Sequence, residues 1–304
     1  MSGSEAIKLF IRMSRPLFLL GAVLLYALGV GIAHYLGNEI NWGVYFLGQV
    51  WVTLLQLSTH YLNEYYDAPA DADNPNRTPF SGGSGAVGPG KLSPNVPLIS
   101  AAACLAIVAS LTVLLINTRT LTVQSILVMG LIFVGALFYS VPPVRLESSG
   151  YGELTTSIIV ANLVPAFAFL LQVGVLHRLV AMATFPLTTM HVAMMLAFEL
   201  PDFATDVKYG KMTLFVRMGW QSGMTLYNIL ILFSYLLLGL AMLLGMPIPI
   251  AFPAFLTLPL GVLQIWQMRR ISEGAKPNWQ TLTLTSMILF GIIAYLLAFG
   301  FWTR

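Results

Sequence analysis

Apolar residues in this chain come in blocks of about twenty, and the polar residues gather in the gaps between them. A helical block of that length matches the roughly 30 Å hydrocarbon core of a bilayer at about 1.5 Å per residue. Nine blocks can be placed: Pro16–His34, Trp42–Leu62, Val96–Ile116, Leu121–Val141, Leu154–Val175, Val180–Leu200, Ser222–Met246, Pro249–Met268 and Leu282–Phe301. The pattern predicts an all-α integral membrane protein with nine transmembrane helices, the seventh and eighth separated by a short hinge near Pro247. Ahead of the first block, residues 1–15 read as an amphipathic segment. Ile7, Leu9 and Phe10 are expected toward lipid, and Lys8, Arg12 and Arg15 toward anionic headgroups.

Composition supports the same class. The chain is 57% hydrophobic and 9% charged, with mean hydropathy +0.81, whereas soluble domains carry about 25% charged residues. The first block is too long for a signal-peptide core and has no small-residue cleavage site after it, so it is expected to be retained. With the N-terminus inside, the inner segments hold 12 of the 15 Lys and Arg, leaving Arg119, Arg178 and Arg304 outside. That bias predicts an N-in, C-out topology. The net charge of +3 is therefore a topology signal, and no nucleic-acid partner is expected. The single cysteine, Cys104, lies mid-span and excludes disulfides and cysteine metal sites.

The acids are placed as unevenly as the bases. One cluster runs from Asn63 to Asp71, with Asp67 and Asp71 four residues apart, and a second runs from Glu199 to Asp206, with Asp202 and Asp206 four apart. Each follows an apolar block, both on the predicted inner side, and the two pairs are separated by the same interval of 135 residues. That regularity, across four spans, suggests an internal duplication in which helices one to four correspond to five to eight. Parallel repeats of this kind place a shared site at their interface. Inner loops after the clusters, 64–96 and 201–220, are long and polar, the first rich in Gly, Pro, Asn and Ser. Outer loops are only a few residues, so the working face is expected to be the cytoplasmic one.

Asn63, Asp67 and Asp71 stand at i, i+4 and i+8, one stripe of a continuous helix. Pro69 leaves Asp71 either on that stripe or on an unwound turn. Pro201 is suited to begin a fresh segment that sets Asp202 and Asp206 one turn apart and ends at Gly210. Carboxylates at a bilayer edge are costly unless a cation joins them. Hard oxygen donors without cysteine or paired histidine point to Mg²⁺, which usually combines one or two carboxylates with substrate phosphate oxygens. Four aspartates and two such ions cancel in charge, leaving a diphosphate to be neutralised by Arg77, Lys208 and Lys211, with Arg145 on the next inner loop. A solvated helix terminus is the plain reading of one Asp-x-x-x-Asp, but two on one face, each followed by cations, favour a site. His60, His177 and His191 are scattered and read as structural, while Met190, Met194 and Met195 are candidates to line an apolar channel.

These residues carry a resemblance. Asn63-x-x-x-Asp67-x-x-x-Asp71 with Asp202-x-x-x-Asp206 resembles the UbiA superfamily of intramembrane aromatic prenyltransferases, over nearly the whole chain. Tyr139-Ser-Val-Pro-Pro-Val-Arg145-Leu146, followed by Gly150-Tyr-Gly-Glu153, is similar to a segment of the menaquinone-pathway branch, as is Gly210-Lys211-Met-Thr213-Leu214. Glu64 and Glu199 stand where Asp, or Asn or Asp, is common in relatives.

The resemblance implies one domain over 1–304: a nine-helix bundle around a central cavity with a cytoplasmic cap and a lateral opening to lipid. It implies that Asp67, Asp71, Asp202 and Asp206 hold two Mg²⁺ against a prenyl diphosphate and that Asn63 supports them. Arg77, Lys208 and Lys211 would assist the leaving group, Tyr139 would face the allylic carbon, and Arg145 would meet the diphosphate or an acceptor carboxylate. The implied reaction is prenylation of an aromatic acceptor, with 1,4-dihydroxy-2-naphthoate favoured by the Tyr139 segment over 4-hydroxybenzoate, homogentisate or a carotenoid-type acceptor. The implied location is a prokaryotic cell membrane or an organelle inner membrane. A cation-coupled transporter is the competing class, though its acids would sit near the midplane on inverted repeats. A phosphatidyltransferase lacks its Asp-Gly…Ala-Arg lead-in here.

Overall fold

The computed structural model describes residues 2–304, which are all-helical apart from one isolated bridge between Val87 and Leu92. In chain order the helices are α1 (Gly3–Met13), α2 (Pro16–Tyr35), α3 (Trp42–Tyr66), α4 (Ala68–Ala72), α5 (Asn95–Asn117), α6 (Val123–Leu137), α7 (Gly152–Ile158), α8 (Val164–Val173), α9 (Arg178–Glu199), α10 (Phe203–Lys208), α11 (Leu214–Met218), α12 (Trp220–Leu243), α13 (Ile248–Ala251), α14 (Leu258–Ser272) and α15 (Trp279–Trp302).

Seven helical stretches are long and apolar enough to cross a bilayer: Pro16–Tyr35, Asn95–Asn117, Gly152–Val173, Arg178–Lys208, Trp220–Leu243, Ile248–Ser272 and Trp279–Trp302. The nine predicted blocks depart from this at two places. Helix α6 has 15 residues, about 22 Å at its usual rise, because the chain turns at Phe138–Ser140 before Pro142. Helix α3 has 25 residues but carries Gln49, Gln56, His60, Asn63 and Glu64, so its mean hydropathy falls below that of a lipid-immersed helix.

The most extensive packing joins α3 to α5 and α9 to α12, the pairs that would correspond under the expected duplication. Helix α2 lies between α8 and α15. It approaches α8 so closely at Gly29 that a Cβ there would overlap the Pro165 carbonyl. Pro165 lacks an amide hydrogen, and the turn before it, Ile159–Leu163, is π-helical, which absorbs the missing bond. Side chains without helical partners face outward, Leu243 and Leu256 among the most exposed, as lipid-facing residues would be.

Helix α1 opens with a capping box between Ser2 and Glu5 and leaves Ile7 and Ile11 exposed, while Met13 is fully buried against α3. Its last residue leads into Ser14, whose hydroxyl lies 2.7 Å from the Tyr61 hydroxyl. The chain then turns sharply at Arg15, in the left-handed region at φ 50°.

Candidate active site

Both acidic clusters keep their helical geometry and meet at one end of the bundle. Asp67 donates its amide to the Asn63 carbonyl and Asp71 donates to the Asp67 carbonyl, both at 2.9 Å. Pro69 falls in the first turn of α4, where its missing amide costs no bond, so Asp71 stays on the stripe. In the second cluster a single 3₁₀ turn, Leu200–Asp202, leads into α10, and Gly210 at φ 68° follows the end of that helix. Asp202 and Asp206 are thereby one turn apart, as the sequence predicts.

The four aspartates, Asn63, Tyr139 and Lys211 line a polar cavity of about 140 Å³. Within it the carboxylates fall into two kinds. Asp67 and Asp202 are engaged by the chain: Asp67 Oδ2 accepts from Lys211 Nζ at 2.5 Å and from Asn63 Nδ2 at 2.8 Å, and Oδ1 from Arg145 at 3.4 Å. Asp202 accepts from Asn74 Nδ2 at 2.6 Å and from the Gly82 amide at 3.0 Å. No described hydrogen bond reaches the carboxylates of Asp71 or Asp206, one from each cluster. Burial, with Asp67 beside it, pushes the Asp71 carboxyl up to about 7. Burial alone would lower the Lys211 ammonium, but Asp67 and Glu147 hold it well above its ordinary value.

The glycine-rich loop is tied across this cavity. Glu64 Oε2 accepts from the Ser84 amide at 3.0 Å and Oε1 from its hydroxyl at 2.5 Å. Gly83, at φ 71°, lets the backbone close on Asp71, since any Cβ there would overlap that carboxylate. Arg77 donates from Nε to the Gly82 carbonyl at 2.6 Å and from Nη2 to the Asp71 carbonyl.

Two of the expected leaving-group cations therefore lie elsewhere. Arg77 is spent on its own loop and does not border the cavity. Lys208 is 64% exposed and pairs with Asp73 at 2.6 Å on the outer surface, because α10 points its side chain away from the Asp202–Asp206 face. Arg145 is also turned aside, between Asp67 and Glu147. The cations that do line the cavity are Lys211 and Arg15. Arg15, expected at the headgroups, instead points inward and donates to Asn63 Oδ1 at 3.2 Å and to Glu64 Oε2 at 3.4 Å.

Glu147 was not legible as a site residue. It is buried, accepts from Asn63 Nδ2 at 2.8 Å and Ser140 Oγ at 2.5 Å, and holds Asn63 in register. The only sequence signal is an acid two residues from Arg145 in a polar connection, which reads equally as a surface pair. Glu199 also borders the cavity, and its Oε2 has no hydrogen-bond partner.

Beside the polar cavity lies a second, apolar one of about 490 Å³, bounded mainly by α2, α3 and α15, with α6, α9 and the α7–α8 segment completing the wall. Arg15, Phe18, Asn63, Phe80, Tyr139 and Met195 border both, forming a neck between them. Among the described residues no three His, Cys, Asp or Glu side chains converge as a protein-only metal site would. The donor set nevertheless fits Mg²⁺, which takes one or two carboxylates and draws its other ligands from water and phosphate. Asp71 and Asp206 are the free hard donors for it.

Residues 22–289 match the UbiA prenyltransferase family. Among solved structures, a UbiA homolog from Archaeoglobus fulgidus bound to DMAPP and Mg²⁺ is 19% identical, with TM-score 0.70 over 96% of this chain and 97% of that one. The same homolog bound to GPP and Mg²⁺ gives 16% identity and TM-score 0.67 over 96% and 98%. A digeranylgeranylglyceryl phosphate synthase gives 16% identity and TM-score 0.58 over 98% and 95%. No curated protein matches the chain. The family match spans most of the chain and takes in both aspartate clusters, together with Asn63, Phe80, Tyr139 and Met195 of the neck: the protein belongs to the UbiA prenyltransferase family.

Proposed function

We propose that this protein transfers a prenyl chain from a polyprenyl diphosphate to an aromatic acceptor, 1,4-dihydroxy-2-naphthoate in menaquinone biosynthesis, with two Mg²⁺ ions as cofactors that the aspartates would hold. The observation that carries the reading is the polar cavity, with four aspartates and Lys211, adjoining the larger apolar one across a shared wall that includes Tyr139 and Phe18. A diphosphate fits the first in charge and an isoprenoid tail the second in polarity. A junction at the neck would set the allylic carbon beside the Tyr139 ring, which supports the role given to Tyr139.

In this reading Asp67, Asp71, Asp202 and Asp206 form the metal-binding set, with Asp71 and Asp206 as the free ligands and Asp67 and Asp202 held in place by Lys211, Asn74 and Gly82. Bound Mg²⁺ supplies Lewis-acid stabilisation of the charge that builds on the departing diphosphate. Lys211 and Arg15 add fixed positive charge to the same cavity, where water exclusion strengthens it. Asn63 orients Asp67, and Tyr139 presents its ring to the developing allylic cation. The apolar wall from Phe18 to Met195 keeps water from that cation. An activated ring carbon then forms the new bond to the allylic carbon as the carbon–oxygen bond to diphosphate breaks. With dihydroxynaphthoate, the carboxylate leaves as carbon dioxide.

The bundle is read as nine membrane-crossing helices, counting α3 and α6, with the N-terminus and both long loops on the cytoplasmic side of a cell membrane. The basic-residue bias supports that orientation. The Tyr139–Leu146 segment supports the naphthoate branch. The test is a membrane assay with geranylgeranyl diphosphate, Mg²⁺, and dihydroxynaphthoate, 4-hydroxybenzoate or homogentisate in parallel. A prenylated naphthoquinol supports the assignment. Product from another acceptor moves the branch, and solute transport without any product brings the transporter class forward.

A further inference from the structure

Helix α3 carries a single polar stripe, Gln56, His60, Asn63 and Asp67, at i, i+4, i+7 and i+11. Its upper half, Asn63 and Asp67, belongs to the polar cavity, while Gln56 and His60 border the apolar one. Two polar side chains on an otherwise apolar wall call for partners, because an unpaired buried polar group is costly. Their hydrogen bonds within the chain leave one particular kind of atom over.

His60 Nδ1 lies 3.3 Å from the Ser14 carbonyl. A carbonyl only accepts, so Nδ1 carries the hydrogen and Nε2 of the neutral ring is a bare acceptor. Gln56 donates from Nε2 to the Phe18 carbonyl at 3.0 Å, and its Oε1 is buried without a partner. A third group from the facing helix repeats the logic. Ser157 spends its hydroxyl hydrogen on the Glu153 carbonyl at 2.6 Å, so His191 Nδ1, 2.9 Å from Ser157 Oγ, must donate to it. His191 Nε2 is therefore also an acceptor, and its ring borders the same cavity. The neighbouring Thr59 gives its hydrogen to backbone carbonyls and offers none inward.

An isoprenoid tail has no hydrogen to donate to these atoms, and a diphosphate, itself an acceptor, would be repelled by them. We infer that Gln56 and His60, with His191 across the cavity, form the binding site for the prenyl acceptor and select molecules whose ring carries free hydroxyl groups. The inference rests on the prenyl-transfer reading above and specifies the acceptor side of that reaction. His60 sits one turn below Asn63 and packs edge-on against Phe18 of the neck, ring centres 5.9 Å apart. A ring hydroxyl held there brings its ring to the neck at which the allylic carbon is placed.

The test compares equilibrium binding of 1,4-dihydroxy-2-naphthoate and its 1,4-dimethoxy ether to the purified full-length protein, under nitrogen, with Mg²⁺ and geranylgeranyl diphosphate binding followed separately. The wild type should bind the diol at least about tenfold more tightly than the ether, one good hydrogen bond's worth. Gln56→Leu with His60→Phe should reduce that ratio to about twofold or less by weakening the diol alone, and leave diphosphate binding unchanged, which also reports folding. His60→Gln, which restores an acceptor atom, should recover part of the preference. Equal binding of diol and ether by the wild type overturns the inference without recourse to any variant, as does a preference that survives the double substitution. Discrimination without turnover on any acceptor would count against the prenyl-transfer reading and leave the hydroxyl-selective site standing.

Discussion

Lys211 sets its ammonium 2.5 Å from Asp67 Oδ2, joining the loop that follows the second aspartate pair to the helix that carries the first. The pair is buried on both sides, with 14% and 6% side-chain exposure, so solvent screens it little. It links the two aspartate clusters across the cavity that both of them line. Lys211→Met should lower kcat by about 10²–10³, the scale of a lost preorganised charge in a dry site, with Lys211→Arg retaining part of it. Single-turnover measurement of prenyl transfer checks this, and a rate within threefold of wild type would remove Lys211 from the mechanism.

The division between free and engaged carboxylates has its own consequence. Asp71→Asn and Asp206→Asn should abolish Mg²⁺ binding directly. Asp202→Asn keeps an acceptor for only one of Asn74 and Gly82, which donate to different oxygens, but removes no free donor and should weaken binding less. Titration with Mn²⁺, followed by its paramagnetic relaxation of water, reads the four aspartates separately. Equal loss at all four would show that the engaged pair opens to the metal.

Asp71 and Asp206 make metal binding depend on pH. The Asp71 carboxyl is pushed up to about 7 by burial and by Asp67, so it is mostly protonated at pH 6 and mostly ionised at pH 8. A metal binds the ionised form and displaces the proton. Mg²⁺ affinity should therefore rise with pH from about 7 through about 8, with proton release on binding at pH 6.5. Calorimetry in buffers of different ionisation enthalpy measures that release, to which Asp206, pushed up to about 8 by burial, contributes as well. A flat profile between pH 6 and 8 contradicts the assignment.

Lys208 and Arg77 separate the structure from the sequence reading. Lys208 pairs with Asp73 in solvent, so Lys208→Ala should leave kcat/KM within about twofold, as exposed pairs contribute little. Arg77→Ala should act through the loop instead, raising the KM for diphosphate more than it lowers kcat. A large kcat loss for Lys208→Ala would mean that α10 turns during catalysis.

Glu64 anchors the glycine-rich loop through Ser84. Glu64→Ala leaves a buried amide and hydroxyl without their acceptor, a cost of about 1–3 kcal/mol. Amide exchange across Ser81–Gly85 should accelerate well before global unfolding, because the loop opens locally. Unchanged protection there would show that Arg77 and Asp202 hold the loop unaided.

Much of this was readable along the chain. Long apolar blocks predict membrane helices, and the paired aspartates at a constant 135-residue interval locate both halves of the cavity. Block length overestimated α6, which turns early ahead of Pro142, and hydrophobicity alone could not show that α3 spends one face on a polar stripe. Arg15, Glu147 and the Gln56–His60 pair stayed hidden for a different reason. Their roles depend on which partner each side chain meets across the bundle, and a cation before a proline or a histidine in an apolar run gives no sign of that. Arg77 and Lys208 were misplaced by the converse error, since nearness in sequence to an aspartate does not decide which way a helix turns the side chain.

The central claim is that the aspartate-lined cavity activates a prenyl diphosphate. The most direct measurement is transfer of label from [1-³H]geranylgeranyl diphosphate into an apolar product, in membranes with Mg²⁺ and dihydroxynaphthoate, for wild type, Asp71→Asn, Asp206→Asn and Lys208→Ala. Wild type and Lys208→Ala should give product, neither aspartate variant should, and none should after EDTA. Undiminished transfer by Asp71→Asn and Asp206→Asn, or no transfer by wild type to any acceptor at any prenyl length, would contradict it.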